Sequence, residues 1–209
     1  MTAKHTTPTS GALVGAVLVG TLLAACASPA VHPTESTSAA STTLTTSSET
    51  ASSTSPTQST EEIAQVAAKA MVVKFYRDGD LGLADPQKTT ADFFNASAVS
   101  SALTQAQNSW IAAKGQNLHQ TGETTLKSVE HLKTDLTNNP KASPPNIPTV
   151  QFLVCYDVSK VNIVDKDGKS VVPASRKPTG LVRVGVSNYS YPSVDGWRVA
   201  YLDKKADSC

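Results

Sequence analysis

The side chains with chemistry to offer are few: three cysteines, four histidines, and a scatter of acids and tyrosines. His5 and His32 lie in the polar N-terminal stretches. His119 falls in a polar turn from Gln116 to Thr121, expected to be exposed, and His131 in an alternating stretch beside Glu130 and Lys133, the setting of a solvated face. Neither has a partner at His-x-x-x-His or Cys-x-x-Cys spacing, which argues against a zinc site. Asp165-Lys166-Asp167-Gly168 begins like a calcium loop but lacks the later Asp/Asn and the closing Glu, so a hairpin turn explains it better. There is no Gly-x-Ser-x-Gly, phosphate loop or dinucleotide fingerprint. No metal and no cofactor are expected. By residue type, acid/base candidates are Tyr76, Asp78, His119, Tyr156 and Asp157, but nothing in their spacing selects among them, and no catalytic residue is assigned.

The cysteines say more. Met1 to Gly11 is polar, with Lys4 its one basic side chain, and Ala12 to Ala25 is almost wholly apolar. As a helix that run spans roughly 21 Å, short of the ~30 Å hydrocarbon core, which fits the apolar part of a secretory signal better than a permanent span. It closes on Leu23-Ala24-Ala25-Cys26, two small residues followed by a cysteine. This stretch resembles the lipobox of bacterial lipoproteins. The resemblance implies acylation of the Cys26 thiol, by palmitate or a similar chain, and cleavage after Ala25. The alternative is an ordinary secretory signal with an incidental cysteine. With Cys26 acylated, Cys155 and Cys209 remain as an even pair in an oxidising compartment, and a disulfide between them is expected. The other reading leaves one buried and one free thiol.

Between Ala27 and Thr60, 20 of 34 residues are Ser or Thr, and the only charges are Glu35 and Glu49. With Val31 and Leu44 its only large aliphatics, this tract cannot bury enough apolar surface to offset ordering entropy and reads as a disordered tether. Residues 61–209 carry 17 basic and 15 acidic side chains, a balance that makes no electrostatic case for nucleic acid. The expected organisation is a signal peptide at 1–25, a lipidated cysteine and tether at 26–60, and one domain at 61–209, long enough to bury a core of its own.

Within that domain, Ser59-Thr60-Glu61-Glu62 reads as a capping box. A helix follows, with Ile63, Val66, Ala67, Ala70 and Val73 on its apolar face, widened by Met71 and Phe75. It is expected to stop near Gly79. A short helix around Lys88 to Phe94 and a third from Ala98 to Lys114 come next, with Val99, Leu103, Ala106 and Trp110 on the third helix's face. After Gly122 the pattern turns to strands: Thr124 to Leu136, Thr149 to Val158 running on towards Val164, an Asp167-Gly168 hairpin, Leu181 to Tyr191, and Trp197 to Leu202. Helices first and antiparallel strands after them make the class α+β.

That order, helices followed by a curved antiparallel sheet, is similar to the nuclear-transport-factor-2-like (NTF2-like, cystatin-like) superfamily. The chain also resembles a group of secreted bacterial lipoproteins through Cys155 to Ser159, Asp167-Gly168, Gly196 to Val199, and Cys209. The resemblance implies a protein held at the extracytoplasmic face of the cell membrane by its lipid. Its domain would bind an envelope protein or cell-wall partner, without catalysis. The superfamily's enzymes use a pocket between helices and sheet, so the competing expectation is a binder or slow converter of a small apolar ligand. A cavity of about 300 Å³ or more with a buried carboxylate would favour the latter, and a closed, side-chain-filled interior the former.

Overall fold

Ser59 accepts a hydrogen bond from the Glu62 amide at 3.2 Å, and the Glu62 carboxylate accepts one from the Ser59 amide at 2.7 Å, the reciprocal capping box expected from the sequence. The computed structural model describes residues 58–209. The signal-like segment, Cys26 and the tether up to residue 57 lie outside the described residues. From the capping box, helix α1 runs Thr60–Ala84, past the expected stop at Gly79. Asp78 is buried and paired one turn back with Lys74 at 2.5 Å. Gly82 gives the ring of Phe94 the space its own Cβ would fill. The helix ends at Asp85-Pro86 instead, where the proline disfavours helical backbone in the residue before it.

The face that α1 buries also differs from the expected one. Ala64, Ala68 and Val72, spaced by four, are fully packed. Ile63, Val66, Ala70 and Val73 point outward. Small side chains let the helix axis come close to the sheet, so the small row wins the core and the bulky row is left in solvent. Met71 and Phe75 are half-buried against the core as expected.

In place of the short helix, a 3₁₀ segment spans Ala91–Ala96. Helix α2 then covers Ser100–Gly115. Its Ala102 and Ala113 are buried, and the half-buried Trp110 donates from its indole nitrogen to the Pro86 carbonyl at 3.0 Å. Short strand β1, His119–Thr121, follows, and then the long β2, Thr125–Asp135. Next come β3, Thr149–Asp157, and β4, Asn162–Val164. The last two are β5, Thr179–Asn188, and β6, Trp197–Ala206.

The four long strands form an antiparallel sheet in the order β2-β3-β5-β6, while β1 and β4 pair antiparallel in a separate two-stranded sheet. β4 is therefore not a continuation of β3. The chain turns at Ser159-Lys160, and Gly168, at φ 77°, closes the expected turn beyond it. Both helices pack on the sheet, which makes the fold α+β. The interior is Val150, Phe152 and Val154 of β3 with Val182, Val184 and Val186 of β5, closed by Val199 and Trp197 of β6 and the small residues of α1. Alternation in β3 follows the expected pattern, and Cys155 faces away from that interior.

Cys155 and Cys209 form a disulfide with Cα atoms 5.9 Å apart. β6 is one edge of the sheet. Its Val199 exchanges backbone hydrogen bonds with the segment before α2, donating to the Ser97 carbonyl at 2.9 Å and accepting from the Val99 amide at 2.8 Å. β2 is the other edge, with register shifts against β3 between Leu126 and Ser128 and between His131 and Lys133.

Candidate functional site

An open groove of about 1070 Å³ lies between α1 and the β1–β2 connection. α1 supplies Val73, Tyr76, Arg77 and Leu81, and the far wall is Gly122 to Leu126. The far wall is held by Asp80. One of its carboxylate oxygens accepts from Gln120 Nε2 at 2.6 Å and from Thr124 Oγ1 at 2.8 Å, and the other accepts from the Thr124 amide at 2.8 Å. Gly122, at φ 74°, completes the turn against the Lys160 carbonyl, where an added Cβ would overlap the oxygen. Asp80 is thus a clamp between helix and turn, accepting three hydrogen bonds. Replacing it with Ala should lower stability by about 2 kcal/mol, and with Asn by about half as much, since an amide keeps one acceptor. Urea midpoints would measure both; an unchanged midpoint for Asp80→Ala would refute the clamp.

Tyr76 lies deeper, its ring 6.0 Å from that of Tyr156. Burial, then the neighbouring Tyr156, pushes its phenol well above the usual tyrosine range, so it stays protonated at any working pH.

The other sequence candidates are scattered rather than gathered. Asp78 is buried on the Lys74 ammonium. Asp157 accepts from the Ser159 amide at 2.8 Å and sits 3.4 Å from Lys127, and these contacts, Ser159 first, hold its carboxyl below the usual range. His119 is half-buried in β1 rather than in an exposed turn. It borders a small apolar hollow of about 210 Å³ with Leu83, Leu118 and Ile163. His131 is exposed on β2, within 2.8 Å of Thr134 Oγ1 and edge-on to Phe152. Among the described residues no three His, Cys, Asp or Glu side chains converge as metal ligands. No described helix is long and apolar enough to cross a membrane. The sequence offers no sign of Asp80 and Gln120, which lie 40 residues apart and meet only through the fold.

Fold and site together define an α+β domain with two helices on an antiparallel sheet, a disulfide, and an open groove along its first helix. No protein-family model matches the chain, and no curated protein matches it. Among solved structures it is similar to the intermembrane-space region of the chloroplast protein ARC6, with a TM-score of 0.45 and 12% identity. That likeness covers 72% of this chain and 99% of the other.

Proposed function

We propose that the chain is a lipid-anchored envelope protein whose domain, of the NTF2-like kind, serves as a non-catalytic interaction module. Cys26 would carry the acyl chains and residues 27–60 would be the tether. Two or more acyl chains, at about 0.8 kcal/mol per buried CH₂, are enough to hold it on a membrane. The observation that carries the module reading is the filled interior: eight side chains of β3, β5 and β6 are buried in it, and the groove beside them is open. The groove exceeds the volume set for a small-ligand pocket, but Asp80 in its wall is a hydrogen-bonded clamp and the groove is open to solvent. A surface of that kind suits another macromolecule better than an engulfed small molecule.

Two measurements test the two halves. Cys26→Ser should move the protein from the membrane to the soluble fraction without changing its unfolding midpoint. Persistence in the membrane after cleavage would remove the anchor. A pull-down from membranes with Ser53–Cys209, which holds every described element and both bridged cysteines, should recover a specific partner. Recovery of none at any salt concentration would count against the module.

A further inference from the structure

Tyr189, 57% exposed, stands just past the end of β5, where the turn into β6 walls an open cleft of about 320 Å³. Ser190, Ser193, Asp195 and Arg198 line it with the tyrosine, and Val99 is its one aliphatic residue. The volume is in the range of small-ligand clefts. The turn is held from beneath. Asn188, 1% exposed, donates from Nδ2 to the Ser193 carbonyl at 2.7 Å and accepts from the Ser190 amide at 2.9 Å. The Ser193 amide donates to the Ser190 carbonyl at 3.0 Å. The Tyr189 hydroxyl lies 3.3 Å from Ser100 Oγ, which fixes the far end of the ring.

Arg198 is fixed as well. Its Nε donates to the Asn95 carbonyl at 3.1 Å and its Nη1 to the Asp195 and Trp197 carbonyls, each at 2.7 Å. That leaves Nη2 without a partner among the described residues. The Asp195 carboxylate likewise forms no ion pair with Arg198 or with any other described residue. One cleft therefore holds a rigid donor and an acceptor that do not close on each other, and the two charges cancel. This selects the ligand class. An anion would be repelled by Asp195 and a cation by Arg198. A hydroxyl both donates and accepts, so two neighbouring hydroxyls satisfy both walls. A sugar ring also has an apolar C–H face of the kind an exposed aromatic ring covers. An apolar peptide side chain would find only Val99. We infer that the cleft takes one unit of a neutral polysaccharide, its C–H face on Tyr189 and adjacent hydroxyls on Asp195 and Arg198 Nη2. This goes beyond the module reading. The cleft shares no residue with the groove along α1, and needs neither that groove nor the lipid anchor.

Nuclear magnetic resonance of isotope-labelled Ser53–Cys209 tests it. The probes, added in turn to about 10 mM, are the linear tetrasaccharides of glucose, mannose, galactose and arabinose, with tetragalacturonate and acetylated tetraalanine amide as controls. At least one neutral sugar should move the amide signals of Tyr189 to Arg198 and saturate with a dissociation constant on the order of 1 mM. Tyr189→Phe should keep that affinity within about twofold, while Tyr189→Ala should weaken it about tenfold and Asp195→Ala about fivefold. Unfolding midpoints check each variant, and Asp195→Ala decides the matter should Tyr189→Ala be unstable. Unmoved signals in this turn with all four neutral sugars overturn the site. So does tighter binding of the uronate or the peptide, or a folded alanine variant that binds like the wild type. The membrane pull-down is read separately, so a failed titration with a captured partner removes the cleft and leaves the module standing.

Discussion

Cys209→Ser should lower the stability of Ser53–Cys209 by about 4 kcal/mol, the loop-closure entropy of a 54-residue separation in the chain-entropy model. For a domain of this length that is a fall of about 10 °C in unfolding midpoint. The bridge ties Cys155, near the end of the second strand of the sheet, to a tail that leaves the fourth, so its loop encloses β4, β5 and β6. Breaking it loosens the unfolded chain more than it removes contacts from the folded one. The loss should therefore come with little change in the folded spectrum. The double variant Cys155→Ala/Cys209→Ser should cost little more than Cys209→Ser alone, because one bridge needs both thiols and the second change removes only a small buried side chain. Calorimetry under non-reducing conditions is the measurement. A midpoint unchanged to within a degree or two would show that the unfolded chain gains nothing when the bridge is cut.

The second large effect is at Trp197. It is the largest side chain in the interior, 2% exposed, and it starts β6 where that strand pairs with Asn188 at the end of β5. Trp197→Ala should cost about 4 kcal/mol, combining lost transfer energy with a cavity that the valines around it are too short to fill. Trp197→Phe, which leaves a smaller void, should cost less than half of that. Guanidinium titrations of the two variants check the order. If alanine and phenylalanine were equally mild, the site would be able to collapse, and the interior would be less tightly packed than Phe152, Val184 and Val199 make it.

Much of the fold was legible because local signals agreed with the global one. The capping box at Ser59 and Glu62, the alternation of β3 and the turn at Gly168 each carry their physics in a few adjacent residues, and the pairing of Cys155 with Cys209 followed from counting cysteines. The errors came where the deciding contact is distant. Periodicity puts bulky aliphatics inside, so Ile63 and Val66 read as core. Only the close approach of α1 to the sheet, visible in three dimensions, gives that place to Ala64, Ala68 and Val72. Gly79 read as a helix end because nothing local reveals that Phe94 will pack on Gly82 or that the very next residue, Asp80, will be needed in helical register. β1 and β4 are three residues each and pair across 43 positions at the middle of their register, beyond the reach of any local pattern. The clamp of the groove is invisible for the same reason.

The two register shifts in β2 have a consequence for how copies of this protein meet. An incoming strand could follow that edge only from Ser128 to His131 before losing step on either side. The opposite edge, β6, is covered at Val199 by the segment before α2 and loses step against β5 between Val199 and Tyr201 and again between Lys204 and Ala206. Neither side of the sheet offers a long template for polymerisation into cross-β fibres. Crowding many copies together should therefore not convert the folded domain into open-ended filaments. A concentrated solution of the folded unit is expected to stay clear and dye-negative where a long, regular edge strand would seed aggregation.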